Sequence, residues 1–287
     1  MSYKPILIVG GEPNSIFLEI FFKSLKKNKY KSPLIIIASK NILIKQMKVL
    51  NFNFKINTID RNSKILNKLN NQKINIINVN YDTKKTFEKI SNKSNDYIAK
   101  CFKIALEVLK KNRYTKIING PISKSHFLKN KYLGITEYMA KKTDTEKFAM
   151  LIYNKKLSVS PITTHLPLKS VHKYISKEKI IDQIKLITNF YKNTFKKNPK
   201  IAITGLNPHC ESNYKTSEED RFIIPAIKTL IKRKFNVKGP FAADTIFLKE
   251  HAKNYDVIVG MYHDQVLTPI KTLFGFNAIN ITLGLPF

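Results

Sequence analysis

Residues 33–39 read Pro-Leu-Ile-Ile-Ile-Ala-Ser, an apolar run without alternation. A strand with one wet face alternates polar and apolar positions, so a run that is apolar throughout must be covered on both faces. Runs of the same kind recur at 5–10 (PILIVG), 74–79 (INIINV), 116–120 (KIING), 147–153 (KFAMLIY), 157–164 (LSVSPITT), 200–206 (KIAITGL), 255–261 (YDVIVGM) and 277–283 (NAINITL). Helical stretches fall between them, near 14–27, 40–50, 95–112, 176–197 and 217–233. Two-sided strands alternating with helices predict an α/β chain built on mainly parallel sheets. With 287 residues, 43% of them hydrophobic, the chain can bury two cores of ordinary domain size. No internal repeat or low-complexity linker marks the boundary. It is placed after the Gly120-Pro121 turn, giving a first domain over 1–128 and a second over 129–287.

Composition excludes several classes. No apolar run approaches the roughly 18 residues of a membrane span, and the first apolar stretch, within MSYKPILIVGGEP, is too short for a signal peptide. Cys101 and Cys210 have no framework spacing, which suggests a reducing cytosol. The formal charge is +31, from 51 Lys+Arg against 20 Asp+Glu. Only four of the basic residues are arginine, the better base reader, and the lysines are scattered rather than interleaved with aromatics. Together with abundant Asn and Ile, this reads as AT-rich codon drift and not as a nucleic-acid face. The charge still favours small anions in any cleft.

The histidines carry the chemistry. His126, His172 and His251 lie in lysine-rich helical stretches and are expected at the periphery. The other three share one context: His165 follows SVSPITT, His209 follows IAITGLNP, and His263 follows VIVGMY. Each stands just past the C-terminal end of an apolar strand, the edge at which open α/β sheets bind ligands. Three neutral imidazoles meeting there would hold a borderline divalent cation, Zn, Mg or Co, with a position left open. Asp244 and Asp264, beside the site in sequence, would orient ligands or relay protons, or else cap local turns. Lys271 and Asn280 fall in the apolar stretch TPIKTLFGFNAINITLGLPF, where a bare lysine and asparagine need partners. Lys271 is a candidate phosphate contact, as is the helix start after Gly120-Pro121.

In order along the chain stand GGEPNSI, NGPISK, GITEYMAKKT, TTHLPLKSV, GLNPH, GPFAADTIF, YHDQVLTPIK and NITLGLPF. Together they resemble the 4-phosphohydroxy-L-threonine dehydrogenases of vitamin B6 synthesis over essentially the whole length. The resemblance implies a two-domain, three-layer α/β/α fold like the isocitrate and isopropylmalate dehydrogenases. It implies a homodimer with shared active sites, and a divalent metal on His165, His209 and His263, one of them supplied by the partner subunit. Substrate contacts are implied for Thr136, Lys271 and Asn280, and NAD or NADP as oxidant without a GxGxxG loop. The chemistry is oxidation of a phosphorylated 3-hydroxy acid followed by loss of CO₂, with Asp244, Asp264 and Lys271 as the catalytic candidates.

This sequence departs from the family pattern at several points. Ile135 replaces a substrate-contacting histidine. The stretch CESNYKTSEED after GLNPH lacks the family's glycines, and Asn14-Ser15-Ile16-Phe17 replaces Ala-Gly-Ile-Gly. The family also continues a few dozen residues past Phe287 and carries a substrate-binding arginine there, so a longer native protein is expected. Two alternatives stay open: a paralogue acting on another phosphorylated four-carbon hydroxy acid, and a family member that has lost turnover.

Overall fold

The computed structural model describes residues 3–63, 69–129, 131–210 and 216–287. Contacts divide the chain into two units, 1–135 with 286–287, and 136–285. In the first unit the order is β1 (Ile6–Val9), α1 (Phe17–Lys27), β2 (Leu34–Ala38), α2 (Lys40–Val49), β3 (Ile56–Thr58), β4 (Ile74–Asn78), α3 (Asn95–Asn112) and β5 (Ile117–Asn119). The sheet runs β3-β4-β2-β1-β5, and every pair is parallel. Alternate strand residues face opposite helix layers. Ile8, Ile36 and Ile76 pack with Phe22 and Leu43 of α1 and α2. Leu7, Val9, Ile35 and Ile37, also fully buried, point to the other face, where α3 lies on β1 and β2. This is the two-sided cover that the apolar runs required. β3 is too short and too polar to stand out from sequence.

The second unit contains α4 (Ile135–Lys142), β6 (Ala149–Tyr153), β7 (Ser158–Thr163), α5 (Lys177–Phe195), β8 (Ile201–Thr204), α6 (Ile224–Lys232), β9 (Val237–Phe241), α7 (Ala243–Ile246), α8 (Lys249–Ala252), β10 (Val257–Tyr262), α9 (His263–Phe274) and β11 (Ile279–Leu283). Its sheet runs β11-β6-β7-β10-β8-β9. β7, β10, β8 and β9 are parallel, whereas β6 and β11 are antiparallel additions at one side. The β6–β7 connection is too short for the dozen or more residues of a parallel crossover, so the chain must turn back on itself there. Val257, Val259 and Met261 of β10 face Ile184 and Ile227, and Ile258 faces Val266 and Ile270. Each such side chain, once buried, contributes about 1.5–3 kcal/mol.

α9 occupies a stretch that sequence alone shows only as apolar. It contains Pro269, which removes one helical hydrogen bond, and it ends at Gly275 with φ +57°. The region after Gly120-Pro121 forms only a five-residue turn, Lys124–Leu128. Residues 211–215 of the glycine-poor stretch noted above lie outside the described residues.

Candidate functional site

β10 lies between β7 and β8, so the segments carrying His165, His263 and His209 leave three adjacent parallel strands at the same edge. Thr163 pairs with Tyr262, and its Oγ1 donates to the Met261 carbonyl at 2.8 Å. His165 and His263 therefore stand two and one residues beyond the same rung, and their ring centroids are 5.5 Å apart. Both line a cavity of about 280 Å³ together with Thr164, Leu166, Leu168, Val171, Tyr262 and Asp264. His263 Nδ1 is 2.6 Å from Asp264 Oδ1. A carboxylate can only accept, so Nδ1 donates and Nε2 of the neutral ring keeps its lone pair.

His209 sits five residues after β8 in an exposed turn, with φ 57°, and Cys210 follows with φ 59°. Left-handed non-glycine residues cost about 1–3 kcal/mol each and persist only where surroundings hold them. Here Glu219, 1% exposed, supplies the hold. Its Oε1 accepts the backbone N–H groups of Leu206 (2.7 Å) and Asn207 (2.9 Å), and its Oε2 accepts Asn207 Nδ2 (2.8 Å). Burial pushes the Glu219 pKa up, but these bonds, those from Asn207 foremost, outweigh it and hold the carboxyl below its ordinary value. Hydrogen bonds to a charged group contribute about 1.5–3 kcal/mol each, enough to offset the strained turn. Among the described residues, no three His, Cys, Asp or Glu side chains of one chain form a metal-binding group. The structure thus brings His165 and His263 together and leaves His209 on its own turn.

The remaining predicted residues spread out. Asp244 lies exposed in the first turn of α7. Lys271 and Asn280 are both solvent-exposed, on α9 and on β11 opposite Ile152, so water satisfies them and no buried partner is required. Neither lines the histidine cavity. Thr136 is buried and bonds Thr282 Oγ1 at 3.1 Å. The next residue, Glu137, accepts from Thr164 Oγ1 at 3.1 Å through Oε1. Its Oε2 is buried without a hydrogen-bond partner among the described residues. His172 and His251 are exposed, and half-buried His126 bonds Ser123 Oγ at 2.8 Å.

Sequence reasoning missed two residues, Glu219 and Gln265. Buried Gln265 accepts from Met261 N at 2.6 Å and Thr204 Oγ1 at 3.0 Å, and donates to Gly205 O at 2.8 Å. Its place in YHDQ was the available signal. A second cavity, about 320 Å³, opens at the β2 and β4 exits of the first unit. Its polar groups bond one another, Lys40 N to Asn78 Oδ1 at 2.8 Å and Asn78 Nδ2 to Asn80 Oδ1 at 2.7 Å, and it contains no histidine.

Residues 29–287 match the family described as pyridoxal phosphate biosynthetic protein PdxA. The chain belongs to this family. It is 37% identical to the 4-hydroxythreonine-4-phosphate dehydrogenase of Sulfurihydrogenibium sp. (strain YO3AOP1), over 98% of this chain and 87% of that one. It is 31% identical to the D-threonate 4-phosphate dehydrogenase of Salmonella typhimurium, over 100% of this chain and 89% of that one. The crystal structure of 4-hydroxythreonine-4-phosphate dehydrogenase from Klebsiella pneumoniae superposes with a TM-score of 0.82 at 28% identity, covering 100% of this chain and 89% of that chain. PdxA membership makes the chain an oxidoreductase of the dehydrogenase type.

The donor set fits a divalent cation. Imidazole nitrogens stand about 2.0–2.1 Å from zinc, which puts two rings sharing an ion roughly 5–6 Å apart, as His165 and His263 are. The Asp264 carboxylate behind His263 is the usual outer partner of a metal-binding imidazole. The nine glycines form no GxGxxG loop, which agrees with the nicotinamide binding that the resemblance implies.

Proposed function

We propose that the chain oxidises 4-phosphohydroxy-L-threonine with NAD or NADP and releases CO₂, giving 3-amino-2-oxopropyl phosphate for vitamin B6 synthesis. The observation that carries this reading is the pair His165–His263, backed by Asp264, on a cavity at the carboxyl edge of the second sheet. His165 and His263 of one chain hold the cation, and His209 completes the ligand set across a homodimer. The cation supplies Lewis acidity toward the substrate hydroxyl and toward the charge that develops when CO₂ leaves. Asp264 accepts from His263 Nδ1, which leaves the Nε2 lone pair for the cation. Thr164, on the cavity wall, gives its proton to Glu137 and so presents acceptor lone pairs to a hydroxyl or ammonium group of the substrate. Exposed Lys271 attracts the phosphate as a point charge. The chain acts in the cytosol.

Overall, a secondary alcohol becomes a ketone and releases a proton; a bound nicotinamide would be the hydride acceptor. The resulting 3-keto acid then loses CO₂ and takes up one proton. Production of reduced nicotinamide from 4-phosphohydroxy-L-threonine by the cation-loaded protein, absent after chelation and restored by metal, tests this. Metal retention without turnover on any phosphorylated hydroxy acid would overturn it.

Ile135 motivates a second reading. Where the family pattern has an imidazole, this chain presents a half-buried hydrocarbon beside Thr136. One relative acts, by its name, on D-threonate 4-phosphate, whose C2 bears a hydroxyl instead of an amine. On the first reading, Ile135→His leaves kcat/KM for the aminated substrate equal or raised a few-fold. A clear drop for that substrate with a preference for D-threonate 4-phosphate would select the second.

A further inference from the structure

We infer that Gln265 and Glu219 are positioning residues for the metal-binding histidines, gripping from two sides the turn that joins β8 to His209. The inference rests on the cation site proposed above and adds what fixes its geometry. Gly205 is the junction. Its carbonyl accepts Gln265 Nε2 at 2.8 Å, and its N–H donates to the Phe241 carbonyl at 3.0 Å, the end of the strand that leads to Asp244. From the other side Glu219 takes the next two backbone N–H groups, those of Leu206 and Asn207. Gln265 simultaneously accepts Met261 N at 2.6 Å, two residues before His263. One buried carboxamide therefore ties the His263 strand exit to the His209 strand exit, and one buried carboxylate shapes the turn between Gly205 and His209.

Two glycines show that the backbone is cut to fit these side chains. A Cβ on Gly260 would meet Gln265 Oε1 at 2.9 Å and Val266 Cγ1 at 2.4 Å. A Cβ on Gly205 would meet Glu219 Oε1 at 2.9 Å and Cys210 Sγ at 2.8 Å. Each strand exit thus omits a side chain at the point where a gripping oxygen arrives. The left-handed pair His209-Cys210 follows at once, a conformation that an unheld turn would relax.

Outer partners of metal ligands change affinity about 10–100-fold when removed. The test is Co(II) affinity by chelator competition, with the Co(II) visible spectrum and hydrogen exchange of the 205–210 amides in metal-free protein. Gln265→Leu and Glu219→Ala are expected to weaken Co(II) by about 10–100-fold, to change the spectrum, and to speed exchange at Leu206 and Asn207. Glu219→Gln keeps an oxygen for both backbone N–H groups and should recover most of the affinity. If Gln265→Leu fails to fold, the isosteric Gln265→Glu serves instead. It keeps the acceptor for Met261 N, loses the donor to Gly205 O, and should weaken Co(II) by a smaller factor. Folded variants that bind Co(II) within twofold of the parent, with unchanged spectra, would overturn the positioning role while leaving the cation site standing. A parent protein that binds no Co(II) would overturn the cation site itself and the positioning role with it.

Discussion

The two sheets finish their strands in opposite ways. At the carboxyl edge of the first, β1 exits through Gly10-Gly11 and β5 through Gly120-Pro121, and the segments touch by backbone. Glu12 N donates to Pro121 O at 2.8 Å, and Gly120 N to Val9 O at 2.7 Å. At the same edge of the second sheet the exits present exposed or half-buried His165, His209 and His263. Both edges also keep a buried glutamate. Glu12 accepts Ser94 Oγ at 2.7 Å and Asn14 N at 3.2 Å. Glu219 takes the turn before His209. One architecture, a wholly or mainly parallel sheet with helices on both faces, yields a closed backbone joint in one unit and a reactive edge in the other. What differs is that only the second edge carries imidazoles within five residues of its strand ends.

The largest effect expected from this contrast is on chemistry alone. His165→Ala or His263→Ala should lower cation affinity and turnover by more than the ~100-fold typical of an outer partner, with thermal unfolding nearly unchanged because both side chains lie on the surface of their unit. Chelator competition and calorimetry on the same samples check it. A variant that keeps metal and activity would show that the reactive edge is misassigned.

The mirror experiment breaks the closed joint. Gly11 has φ +70°, and a Cβ there would stand 2.5 Å from the Pro121 carbonyl; one on Gly120 would stand 2.4 Å from the Gly10 carbonyl. In each case the obstacle is backbone, so relief requires the strands to part. Gly11→Ala and Gly120→Ala should each cost about 1–3 kcal/mol of stability, read by urea unfolding, while Co(II) affinity in the second unit stays within a few-fold. Equal stability would mean that the joint tolerates separation.

The contrast also explains what could be read from sequence. Strands such as Leu34–Ala38 and Val257–Tyr262 were legible because burial on both faces forces an unbroken apolar run. The strand-end histidines were legible because a polar, chemically able residue directly after such a run is conspicuous. Glu219 and Gln265 were not: their long-range partners Leu206, Asn207, Gly205 and Thr204 lie from 12 to 61 positions away, and no spacing rule encodes that approach. α9 was hidden because Pro269 and a mostly apolar content mask helical periodicity. The apolar stretch around Lys271 and Asn280 gives no sign that the folded chain turns both outward. The pairing of β11 with β6 depends on the third dimension as well, since neither strand signals its direction.

The smallest expected effect concerns the charge of Glu219. The N–H groups of Asn207 and Leu206, overcoming the opposite push of burial, hold the Glu219 carboxyl below its ordinary value. A carboxylate whose folded pKa lies below its unfolded one, about 4.3 for glutamate, contributes stability that is fully present above the unfolded value. That contribution is lost as pH falls through the folded value. Glu219→Gln has no such proton to take up. The parent should therefore exceed the variant in unfolding free energy at neutral pH, and the gap should close as the solution is acidified below about 4.3. Urea unfolding of both proteins at several pH values measures the gap directly, and other titrating groups cancel in the difference. A gap that stays constant, or widens in acid, would mean that the turn before His209 is held by shape and not by the charge of Glu219.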